Sequence, residues 1–184
     1  MTLRIPDPVR NELIERVFRI ADDEGYMLNN RVENTRFMDR LVADPEVGGV
    51  LLRFMEEEKV RTYIKDGILN QYTKSKRTVT KEGLRAAICD FYNEDCALIG
   101  QKNDVYVFRM TQTGKTLVVA TGTFVKWETA LRKVLLHIGA TPLLQGLEMK
   151  KMLVILTGGV PLPAGDEEIL QRSLLQIGVD VLVL

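Results

Sequence analysis

Two runs rich in β-branched and aromatic residues, Val105 to Met110 and Lys115 to Ala120, flank Thr111-Gln112-Thr113-Gly114. No other stretch constrains the fold as much. A short link ending in glycine, which takes positive φ without steric cost, closes two such runs into a β-hairpin. Cys96-Ala97-Leu98-Ile99 supplies a compact apolar strand before the hairpin, and Met152 to Leu156 is an unbroken apolar run suited to burial on both faces. Val179 to Leu184 forms a last strand. Helical spacing fills the intervals: Lys81 to Phe91, Trp127 to Ile138 closed by Gly139, and Asp166 to Ile177 with Asp166 as N-cap. The order α-β-β-β-α-β-α-β predicts a mixed sheet with helices on both sides.

The chain before this core reads as helical. Asp7-Pro8 is a start signal, with Asp7 as N-cap and Pro8 where its missing N–H costs little. Val9, Leu13, Val17 and Ile20 follow at helical spacing, and Gly25 is a stop. Thr35 to Ala43 fits a second helix. Asp44-Pro45 repeats the start signal, although Gly48-Gly49 weakens the turns after it by about 1 kcal/mol per glycine. The amphipathic pattern then runs to Tyr72, and Lys74-Ser75-Lys76-Arg77 reads as a linker or exposed helix end. Two regions follow: a helical region over 1–78 and an α/β core over 79–184, giving an α/β class that is α+β over the whole chain.

Composition narrows the function classes. Apolar residues make up 46% of the 184 positions and charged residues 27%, a balance that supports a packed globular core. Lysine plus arginine equal aspartate plus glutamate at 25 each, so any attraction for nucleic acid must be local. The two cysteines, Cys89 and Cys96, lack zinc-ligand spacing, and the single histidine, His137, is distant in sequence. The amino-terminal stretch has no secretory pattern, and no segment has the ~20 apolar residues that span a bilayer. A cytoplasmic location, reduced buried thiols and no membrane partner are expected.

Several motifs resolve into structural readings. Gly114-Lys115-Thr116 resembles the end of a phosphate-binding loop, yet Arg109 stands where the first glycine belongs and the segment leads into a strand. Thr157 to Pro163 lies between a strand and a helix, where open sheets bind ligands. The acids Asp166-Glu167-Glu168 already occupy that helix's positive end, which favours a structural loop. His137 has no triad partner at informative spacing. Trp127 and Phe124 beside Lys126 read first as core residues. Lys74, Lys76, Arg77, Lys81 and Arg85 form the best basic cluster, a solvated linker or a contact for nucleic-acid backbone.

The element order over residues 79–184 resembles the PD-(D/E)XK, or restriction-endonuclease-like, fold. In that family an aspartate begins the second core strand, and Glu-x-Lys or Asp-x-Lys lies on the third. The carboxylates hold one or two divalent ions and the lysine helps position the attacking water. Asp104, after Asn103, matches the aspartate; the third-strand motif falls near Ala120, Thr121 and Gly122 and does not match. The resemblance implies that a residue from the following helix can substitute. It makes Asp104, Glu128 and Lys126 the candidate catalytic set, with Asp104 and Glu128 as metal ligands if the protein is active. Glu82 and Glu94 are spare carboxylates.

The reading that follows is a non-catalytic nuclease-like protein, expected without a cofactor. It would bind DNA, RNA or other protein subunits within a nucleic-acid-processing or defence assembly. The first alternative is a Mg²⁺-dependent nuclease with migrated residues. The second is a self-associating protein, a homo-oligomer built on the strand from Val179 to Leu184.

Overall fold

A computed structural model describes residues 4–144 and 148–184. The chain is α+β and divides into two compact units, one ending at Lys76 and the other starting at Arg77. Among the described residues no helix is long and apolar enough to cross a membrane.

The first unit is helical. Helix α1 (Asp7–Asp23) buries Leu13, Val17 and Ala21, one residue per turn along a single stripe. Its N-cap is Pro6 rather than Asp7: the Arg10 N–H donates to the Pro6 carbonyl, so the first turn closes one residue early. Gly25, at φ 63°, takes the left-handed conformation just past the helix end. Helix α2 (Arg31–Ala43) starts four residues before the expected Thr35. Asn30 accepts from the Val32 and Glu33 N–H groups while Glu33 accepts from the Asn30 N–H, a reciprocal cap.

At Asp44-Pro45 the sequence expectation fails locally. The Asp44 carboxylate accepts from the Glu46 N–H and makes a turn, leaving only the single turn α3 (Gly48–Leu51). Gly48 is required there, because a Cβ would lie 1.9 Å from the Val42 carbonyl oxygen. Helix α4 (Glu57–Thr62) then passes through widened π turns over Tyr63–Leu69 into α5 (Asn70–Arg77). The run from Lys74 to Arg77 is the end of α5. Tyr72, fully buried, donates its hydroxyl to Asp22 at 2.8 Å, and Lys76 pairs with the same carboxylate at 2.7 Å.

The second unit holds the sheet. Helix α6 (Lys81–Tyr92), capped by the Thr80 hydroxyl on the Gly83 N–H, precedes β1 (Cys96–Lys102), β2 (Val105–Met110) and β3 (Thr116–Gly122). Helix α7 (Trp127–Ala140), β4 (Met149–Ile155), α8 (Asp166–Leu175) and β5 (Val179–Val183) complete it. Strands lie in the order β1-β2-β3-β4-β5, antiparallel through β3 and parallel from β3 to β5.

The two faces of the sheet bury separate cores. On β3, Leu117 and Val119 pack with Leu84 and Ile88 of α6, whereas Val118 and Ala120 pack with Ala130 and Val134 of α7. The same alternation on β4 sends Met152 and Val154 one way and Leu153 and Ile155 the other. Each such fully buried aliphatic side chain contributes about 1.5–3 kcal/mol. Helix α7 continues through Gly139, and α8 is capped by Gly165, not Asp166, because the Ile169 N–H reaches the Gly165 carbonyl.

Candidate functional site

Asp104 owes its position to a tight connection. Lys102 pairs with Val105 across β1 and β2, so Asn103-Asp104 is a two-residue link, with Asn103 in the left-handed conformation at φ 55°. The link sits at the end of the sheet where β3 finishes: the Thr121 N–H donates to the Asp104 carbonyl at 3.3 Å. At this end β3 passes into the turn that starts α7, and a cavity of about 210 Å³ opens between the strand ends and the helix.

Helix α7 supplies one wall. Thr129 and Lys133, one turn apart on α7, line the cavity together with Lys126, which caps the helix. Lys133 Nζ meets Asp104 Oδ2 at 2.6 Å. Arg77, the first residue of this unit, adds a third cation, and Thr121 and Thr123 add hydroxyls from the strand end. Three cationic residues and one carboxylate therefore line the same cavity, and that carboxylate is already engaged by Lys133. The electrostatic character is that of an anion site.

The positions where the expected Glu-x-Lys would fall are sterically closed. Ala120 is wholly buried, and a Cβ on Gly122 would come within 2.8 Å of the Ala130 Cβ. Close packing of α7 on β3 leaves no room at these two positions for a carboxylate or a lysine.

The sequence-predicted residues separate accordingly. Asp104 and Lys126 share the cavity, whereas Glu128 is exposed and is not among its walls. Glu94 lies at the opposite end of the hairpin. Its carboxylate accepts from the Gln112 N–H at 2.7 Å, the Thr113 N–H at 2.6 Å and the Thr113 hydroxyl at 3.1 Å. Those donors, the Thr113 amide first, hold its carboxyl below the ordinary glutamate range.

Mg²⁺ takes an octahedral set of oxygens, commonly including one or two carboxylates. The cavity offers one carboxylate, held by Lys133, among three cations that repel a divalent ion. This donor set does not fit Mg²⁺. Among the described residues, no group of three or more histidine, cysteine, aspartate or glutamate side chains is placed to hold a metal ion.

The basic cluster is also divided. Lys76 is committed to Asp22 and lies 5.5 Å over the Tyr72 ring. Arg85 donates to Asp95 and to the Cys96 carbonyl, each at 2.6 Å. Lys74 lies near the end of α5 and Lys81 opens α6, while Arg77 alone of the five lines the cavity. Sequence reasoning missed Lys133, whose only signal is its position one turn after Thr129 on the helix that Lys126 caps. Thr157 is tied to the Leu184 carbonyl through both its N–H and its hydroxyl, as suits a structural loop. Trp127 and Phe124 pack against the core on the α7 side.

The sequence matches no protein-family model and no curated protein.

Proposed function

We propose that the second unit is a restriction-endonuclease-like fold that binds the phosphodiester backbone of nucleic acid without cleaving it. The observation that carries this reading is the cavity at the Asp104 end of the hairpin, which Arg77, Lys126 and Lys133 line together with a single carboxylate that Lys133 engages. The element order, the sheet order and the place of Asp104 at the head of the second strand support the fold assignment. Lysine and arginine side chains bind phosphate oxygens by charge and hydrogen bonding, and threonine hydroxyls add neutral donors. Among the described residues that line the cavity, Asp104 is the one carboxylate that a phosphate held there would meet.

Fluorescence anisotropy with labelled single-stranded DNA, duplex DNA and RNA tests the binding, and gel analysis after incubation with Mg²⁺ or Mn²⁺ tests the chemistry. The expected result is salt-sensitive binding, weakened by Lys126→Ala with Lys133→Ala, and intact substrate throughout. Binding unchanged in the double variant would move the interface elsewhere. Metal-dependent cleavage lost in Asp104→Ala and Glu128→Ala would instead establish the nuclease alternative.

A further inference from the structure

The end of α6 and the start of β1 bring two thiols together. Cys89 lies in the last turn of α6 and Cys96 is the first residue of β1, and their Sγ atoms are 3.2 Å apart. Sequence spacing gives no hint of this, because the chain reverses between them through Asn93, left-handed at φ 50°. The reversal is well fixed. The Glu94 N–H donates to the Cys89 carbonyl, Asp95 accepts from the Cys96 N–H at 2.9 Å, and Arg85 grips both Asp95 and the Cys96 carbonyl. Both sulfurs are free thiols, Cys96 buried and Cys89 only partly so.

We propose that Cys89 and Cys96 are a reversible oxidation site, in which Cys89 attacks peroxide or a disulfide such as oxidised glutathione and Cys96 resolves the adduct into an intramolecular disulfide. A disulfide needs its sulfurs about 2.05 Å apart, so closure from the observed separation requires a shift of roughly 1 Å. The roles follow from access and acidity. Burial, then the hydrogen bond with Cys89, pushes the Cys96 thiol up to about 12, so Cys96 does not present a thiolate to solvent. Cys89 is the sulfur that a reagent reaches first.

With hydrogen peroxide, the Cys89 thiolate forms an S–O bond as the O–O bond breaks and hydroxide leaves, taking up the proton that the thiol released. The resulting sulfenic acid is attacked by the Cys96 sulfur: the S–S bond forms, the S–O bond breaks, and water departs with the Cys96 proton. Two thiols are oxidised and one peroxide becomes two waters. With oxidised glutathione, Cys89 first forms a mixed disulfide and releases one glutathione thiol; Cys96 then displaces the second.

The experiment uses the full chain, reduced, treated with peroxide or with oxidised glutathione, and then alkylated before intact-mass analysis. No lysine or arginine lies between Arg85 and Lys102, so both cysteines fall in one tryptic peptide and an internal bridge is read directly. The expected product has lost two hydrogens, accepts no alkylating group, carries no glutathione, and recovers two reactive thiols with dithiothreitol. Cys96→Ser is expected to trap a lasting glutathione adduct on Cys89, and Cys89→Ser to leave Cys96 resistant to oxidised glutathione. A stable glutathione adduct on the unmodified chain, a disulfide between chains, or two alkylatable thiols after oxidation would each overturn the proposal.

Discussion

At Gly122 a missing side chain lets a helix settle against a strand. A Cβ there would lie 2.8 Å from that of Ala130, closer than carbon atoms pack without displacement. Gly122→Ala is expected to lower stability by roughly 1–3 kcal/mol, read by urea denaturation, because crowding in a filled core is relieved only by backbone movement. Gly48 is a sharper case, since its absent Cβ would meet the Val42 backbone itself. Glu94 makes a pH-dependent prediction. Its hydrogen bonds hold the folded carboxyl below its unfolded value of about 4.3, so its contribution is complete above that pH and is lost as pH falls through the folded value. Protection of the Gln112 and Thr113 amides, taken relative to their intrinsic exchange rates at each pH, should therefore fall in acid and in Glu94→Ala, while the middle of β3 stays protected.

Among the elements, legibility followed the continuity of apolar residues in sequence. Strand β3 and the apolar part of β4 are packed on both faces, and their continuous apolar runs announced them. Strand β1 is an edge that is exposed along most of its length, and only its first half was readable because Ala97-Leu98-Ile99 is apolar whereas Gly100-Gln101-Lys102 is not. The first turn of α2 was hidden because Val32 is 59% exposed and breaks the apolar stripe; the Asn30-to-Glu33 cap was the available signal. The π turns at Tyr63–Leu69 were illegible, since Ile64, Ile68 and Leu69 suit either winding. At the candidate site, the aspartate was visible from sequence, whereas its ion pair with Lys133 depends on how α7 packs over β3 and β2. Tyr72→Phe tests a buried contact between elements: losing the hydroxyl that Asp22 accepts is expected to cost about 1 kcal/mol, measured by thermal or urea unfolding.

For the whole molecule, equal numbers of acidic and basic residues mean that no broad positive field draws in a polyanion. Binding at the cavity should then show a shallow salt dependence. Each phosphate neutralised on duplex DNA contributes about 0.9 to the slope of log affinity against log salt, so three cations set a limit of about 2.7. Removing Lys126 and Lys133 should reduce the slope by up to about 1.8. A much steeper slope would indicate a wider interface than this cavity.

The contact between Gly122 and Ala130 also orders the substitutions by which this scaffold can change. A side chain arriving first on β3 collides with α7 and weakens the fold. Ala130→Gly arriving first costs about 1 kcal/mol of helix propensity but clears the space into which that side chain can grow. New chemistry at the end of β3 is thus separated from the present sequence by a two-step path, accessible in one order and resisted in the other.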